Sequence, residues 1–180
     1  PSGYRLEWGG EYETAGEAQS GLFASLPLGL VMMFIITVIL FNNFRQPLAI
    51  WSLVPLTIIG VVGALLITGL PFSFMALLGT LSLIGMVIKN AIVLVEEINV
   101  QLPQHQDRYH AVVRAAVSRV RPVAMAALTT MLGMIPLISD AFFASMAVAL
   151  IGGLGVATLL TLIVLPVVYC VLYRIKIHAD

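Results

Sequence analysis

The chain has 180 residues, of which 60% are hydrophobic and only 10% charged, and its nine basic and nine acidic side chains cancel. Soluble domains carry about 25% charged residues, so this composition excludes a water-soluble globular fold and places the chain in a membrane. Cys170 is the only cysteine, which excludes an internal disulfide and a thiolate metal cluster.

Residues 1–20 are hydrophilic and set Arg5 against Glu7, Glu11, Glu13 and Glu17. Tyr4, Leu6 and Trp8 alternate with Arg5 and Glu7, a pattern that predicts a short strand closing at Gly9-Gly10. One strand cannot stand alone. The segment is therefore expected to be the end of a water-exposed loop domain, followed by a linker containing Gly16. With no initiator methionine or signal peptide at Pro1, the reading expects a fragment of a longer polypeptide.

Residues 21–180 are expected to form an all-α polytopic domain of five transmembrane helices. The first span covers 22–41, with Pro27 in its opening turns, and the second covers 48–68, with Pro55 inside. In the second, Gly60 and Ala64 form a small-xxx-small step that lets another helix approach closely. The third span, 76–97, carries Lys89. The polar segment after it leads to an amphipathic stretch, 107–120, with Tyr109, Val112, Val113, Ala116 and Val117 on one face and arginines on the other. This stretch is expected to be a separate interfacial helix lying in the membrane plane. The fourth span, 122–138, opens at Pro122 and is interrupted by Pro136; the fifth, 145–173, holds Gly152, Gly153, Gly155 and Pro166.

Alternating the turns puts Arg45, Arg108, Arg114, Arg119, Arg121, Arg174 and Lys176 on one side, seven basic residues against Arg5 alone on the other. Glu7, Glu11, Glu13, Glu17 and Asp140 join Arg5. The positive-inside rule then sets the N-terminal end outside the cytoplasm and the C-terminus within it. In a bacterial inner membrane, the outer side is the periplasm.

Lys89 is the candidate functional residue. It lies about 18 Å along its helix from Leu77, too deep to be dismissed at once as an anchor. Ser82, Gly85, Val93 and Glu96 share its face, with Asn90 and Glu97 beside it, while Leu83, Ile84, Val87, Ile88, Ala91 and Leu94 cover much of the rest. Two readings compete. The ammonium can snorkel to the near interface, or it can pair with an acid on another helix in a proton relay. Glu96 is an accessory candidate that would help water enter, and Ser82 is another; Glu96 and Glu97 can equally be solvated helix-end charges. Arg119 and Arg121 are either topology anchors or groups at the cytoplasmic mouth of the relay. Thr129 and Thr130 are candidate neighbours of Lys89, with Thr129 the better one, unless both simply bond back to their own helix.

The other chemistries fare poorly. Met125, Met131 and Met134 could serve soft metals, but they share no clean face, and His105, His110 and His178 lack ligand spacing. No metal site, cofactor or catalytic motif is expected, so the chain is not read as an enzyme. Gly152-Gly153-Leu154-Gly155 lies inside a span and is a packing feature. Basic residues dispersed over three segments do not suggest nucleic-acid binding.

The strings GMVIKNAIVLVEE (85–97) and RVRPVAMAALTTMLGMIPL (119–137), with a glycine-rich last span reaching LPVVY at 165–169, carry a resemblance. Essentially the whole chain resembles the C-terminal transmembrane region of resistance-nodulation-division efflux pumps, most closely the hydrophobe/amphiphile multidrug branch. The resemblance implies a proton-driven antiporter, a homotrimer that docks to a periplasmic adaptor and an outer-membrane channel. It also implies that Lys89 pairs with two acids on a helix of the first half, absent here, and that Arg119 takes part in the relay. The family's usual threonine in the fourth span is matched by Ala126, which leaves Thr129 or Thr130 as substitutes. Two alternatives stand beside the drug exporter: an exporter of metal ions or other non-drug substrates in the same superfamily, and a non-transporting membrane scaffold.

Overall fold

The computed structural model describes residues 11–104 and 107–175. Six α-helices follow in order: α1 (Glu11–Phe41), α2 (Arg45–Trp51), α3 (Leu53–Thr68), α4 (Phe74–Gln101), α5 (Arg108–Met134) and α6 (Ala144–Leu172). Short 3-10 turns, Leu102–Gln104 and Ile135–Ser139, extend α4 and α5. Counting α2 and α3 as one, five helical segments are long and apolar enough to cross a membrane. The described chain is a polytopic all-α membrane protein, as its composition requires.

Three expectations change at the level of local structure. The linker around Gly16 is instead helical and part of α1, Glu11–Phe41. A single glycine costs only about 1 kcal/mol within a helix, too little to break it. The strand expected over Tyr4 to Trp8 lies outside the described residues. The separate interfacial helix at 107–120 and the fourth span at 122–138 are one continuous helix, α5, with Pro122 inside it. Proline withdraws one hydrogen bond, but membrane helices tolerate this where neighbours support them, and α5 packs on both α4 and α6. The second span, conversely, is divided at Ser52. Pro55 supplies no N–H to the carbonyl of Trp51, four residues back, and the helix is released there.

The core forms where α3, α4 and α6 meet. Val61 and Leu65 of α3, Leu83, Val87 and Ala91 of α4, and Leu150, Leu154 and Ala157 of α6 are all buried. Small residues make the contact possible: Gly152 faces Ala64, and Gly60 faces Val156. The Gly60/Ala64 step thus admits α6 to close range. By contrast α1 stays largely unpacked, with Ile35, Ile36, Ile39 and Leu40 exposed. It touches the rest through Thr37, Met33, Phe41 and an edge contact of Phe34 on Trp51.

Polar groups tie the helix ends and fix which ends share a side. At one end Ser73, the N-cap of α4, bonds to Ser145 of α6. At the other end Gln46 and Asn99 exchange two amide hydrogen bonds, Nε2 to Oδ1 at 2.9 Å and Nδ2 to Oε1 at 3.2 Å. Tyr169 also donates to Asn99 Oδ1 at 3.2 Å, Asn43 donates to the Tyr173 hydroxyl at 3.0 Å, and Arg45 lies over the Tyr173 ring. The first turn, the end of α4 and the end of α6 therefore meet at one end of the bundle, as the alternation of charges requires.

A candidate polar stripe and groove on the fourth and fifth helices

The amphipathic division of α4 is real, and its sense decides what Lys89 can meet. Leu83, Ile84, Val87, Ile88, Ala91, Leu94, Val95 and Ile98 are buried against the bundle. Ser82, Gly85, Lys89 and Glu96 lie on the opposite, exposed side. Lys89 makes no hydrogen bond or ion pair among the described residues, and neither do Ser82 and Glu96. The described helices therefore bury the apolar face of α4 and leave its polar stripe uncovered.

Beside this stripe, α4 and α5 enclose a groove of about 160 Å³ lined by Asn90, Val93, Leu94, Arg119, Pro122, Val123 and Ala126. Asn90 and Arg119, both picked out from the sequence, are thus brought together, and the alanine at the threonine position lines the same space. At its rim Arg119 Nη2 donates to Glu97 Oε2 at 2.6 Å, a short, charge-assisted hydrogen bond. Gln101 Nε2 donates to the other Glu97 oxygen at 3.0 Å.

The threonine hydroxyls are both engaged within α5. Thr129 Oγ1 donates to the Met125 carbonyl at 2.8 Å and Thr130 Oγ1 to the Ala126 carbonyl at 2.9 Å, so each hydroxyl satisfies its own helix. Neither lines the groove. The residue that sequence reasoning passed over is Glu97, left there as a solvated helix end. Its partner is 22 positions away, and the charges clustered at that end of the helix were the only signal linking the two. Among the described residues, no group of three or more His, Cys, Asp or Glu side chains converges to hold a metal ion.

An apolar bundle of five membrane-crossing segments, with a lone ammonium on an outward polar stripe, has the form of one part of a membrane transporter. The comparisons name the family: residues 1–173 match the AcrB/AcrD/AcrF family, and the chain belongs to it. Its members are transport proteins, not enzymes. The cobalt-zinc-cadmium resistance protein CzcA of Cupriavidus metallidurans is 34% identical over 179 residues, 97% of this chain and 17% of the relative. The multidrug resistance protein MdtC of Edwardsiella ictaluri is 34% identical over 169 residues, 91% of this chain and 16% of the relative. A crystal structure of a heavy metal efflux pump matches with a TM-score of 0.79 at 34% identity, covering 97% of this chain and 18% of that one. The chain thus spans about a sixth of the length of these relatives. The resemblance to the superfamily holds, while its narrower assignment to the multidrug branch does not follow from relatives of both kinds.

Proposed function

We propose that the chain is the C-terminal membrane part of a proton-coupled inner-membrane efflux transporter of the resistance-nodulation-division superfamily, with Lys89 in its relay. The observation that carries this reading is the uncovered stripe of α4. A charge at membrane depth needs a partner, and Lys89 has none among the described residues. The stripe is therefore a docking face for a helix carrying acid, in the part of the relatives' length that this chain does not span. Asn90 and Arg119 stand beside it at the groove and complete the polar path, with Glu96 and Ser82 on the stripe as accessories. Thr129 and Thr130 support their helix only.

The substrate class we favour is a divalent metal cation. CzcA and the solved heavy metal pump support it, each matching 97% of the chain. MdtC, at equal identity, supports export of lipophilic compounds as the second reading. In either case the complete protein is a homotrimer working with a periplasmic adaptor and an outer-membrane channel, as the resemblance implies. The test is proton flux from vesicles holding the complete transporter and a lumenal pH dye. Zn²⁺ or Co²⁺ should stimulate flux while the lipophilic cation ethidium does not. Stimulation by ethidium alone would establish the second reading, and none by either would end the proton-coupled reading.

Orientation has its own expected result. With Cys170 replaced by serine, a single cysteine at Asp140 should react with a membrane-impermeant maleimide from the periplasmic side. One at Gln104 should react only after the cytoplasmic side is opened. Labelling of the Gln104 position in intact cells would reverse the topology.

A further inference from the structure

We infer that Glu97 is a positioning residue of the relay: it holds the Arg119 guanidinium at the rim of the groove that runs past Asn90. The inference rests on the proton-coupled reading above and adds a residue to it. Four observations converge. Both carboxylate oxygens of Glu97 are engaged, one by Arg119 and one by Gln101, so the acid is fixed as well as paired. The Glu97 side chain is 18% exposed and that of Arg119 34% exposed, so this pair is more enclosed than a freely solvated surface contact. Arg119 lines the groove and Glu97 does not, so the acid acts on the groove only through the base. Asn90 and Glu97 are two turns apart on α4, about 10 Å along the axis, which leaves the groove between the pair and the Lys89 level.

The place of Arg119 on α5 gives the pair its leverage. Pro122 follows three residues later and has no N–H for the Ser118 carbonyl, so α5 lacks a helical bond beside the arginine. Without Glu97, the half of α5 before Pro122, which carries Arg119, has one tie fewer to α4 beside that missing bond. An arginine pinned there presents fixed donors and positive charge to water in the groove, the arrangement that favours an ionised acid nearby. Gln101 supplies the second constraint, since a carboxylate held at one oxygen alone can swing. The neighbouring Glu96, exposed and without a partner among the described residues, does not share this role.

The test separates positioning from mere attachment of two helices. Glu97→Gln keeps the shape and one acceptor oxygen for Arg119, leaves Gln101 to turn its amide round, and removes the charge that fixes the guanidinium. In vesicles holding the complete transporter, its maximal Zn²⁺-driven proton flux should fall by about tenfold, with the Zn²⁺ concentration for half-maximal flux unchanged. Ethidium is run in parallel so that a drug-selective transporter is read equally. Glu97→Asp, which retains the charge on a shorter arm, should recover part of the loss. The exchange Glu97→Arg with Arg119→Glu restores the ion pair and the helix tie but puts a carboxylate at the groove; it should accumulate normally and stay slow. Full flux from the exchange, or from Glu97→Gln, would reduce the pair to a structural tie and overturn the inference. Lys89→Ala distinguishes the two levels. If it is inactive while Glu97→Gln is normal, only this inference fails; if it is fully active, the proton-coupled reading fails first.

Discussion

Lys89→Ala should reduce substrate-driven proton flux in the complete transporter by about a hundredfold or more, the scale of losing an essential proton-transfer group. The structure makes this result interpretable. Lys89 is exposed on α4 and its side chain is bonded to nothing among the described residues, so its removal takes no side-chain hydrogen bond and no core packing from this bundle. Loss of flux at normal protein level would then report on chemistry, not folding. An ammonium can exchange one acidic partner for another as protons arrive, since opposite charge favours the ionised carboxylate and its departure favours protonation. That exchange can bias two helix arrangements and so reach a distant substrate site. Lys89→Arg should also be slow, because a planar fork does not replace a compact charge. Leu159→Ala, on an exposed apolar position of α6, is the control and should keep most activity. Leu94 would be a poor control despite its similar depth, being 1% exposed in the core and part of the groove wall. Full flux from Lys89→Ala would return this residue to snorkelling.

The second large effect is on stability. Gly152→Ala should destabilise the bundle by about 1–3 kcal/mol, the usual range for overpacking a filled interior. A Cβ at Gly152 would fall well inside contact distance of the Ala64 Cβ, and that methyl sits directly on the α3 backbone with no rotamer to escape into. The helices must part, and dispersion contacts along their whole interface weaken together, in a medium where close packing is a main source of helix association. Ala64→Gly in the same molecule removes the obstructing carbon and should recover most of the loss. Thermal unfolding in detergent, read by tryptophan fluorescence, checks both. Gly16→Ala, where a Cβ would meet nothing, should show no such loss. An unchanged Gly152→Ala transition would mean that α3 and α6 are not held at this distance.

How the chain divides into helices was legible because membrane segments obey strong local rules. A backbone in hydrocarbon must satisfy its own hydrogen bonds, so apolar runs of sufficient length have little choice but helix. The uneven distribution of arginine and lysine marked which ends belong together, and the Asn99, Tyr169 and Tyr173 contacts place those ends side by side. Pro122 misled as a boundary because one missing hydrogen bond is a local term. Whether it ends a helix depends on the neighbours that support both halves, and α4 and α6 do so for α5. Gly16 misled for the same reason in miniature.

By itself, then, the sequence determined the membrane class, the five apolar segments, the outlier Lys89 and the polar face it shares with Ser82 and Glu96. These follow from composition and a 3.6-residue period, which any helix must express. Only the tertiary structure decided that the apolar face of α4 packs inward and the lysine stripe stays uncovered, that Thr129 and Thr130 serve their own carbonyls, and that Asn90 and Arg119 share a groove. It alone paired Glu97 with Arg119. Those outcomes depend on how α4 and α5 are rotated about their axes, and that rotation is set by side chains of α3 and α6 far away in the chain, Val61 and Leu154 among them. A helix's period says which residues share a face; only its neighbours determine where that face points.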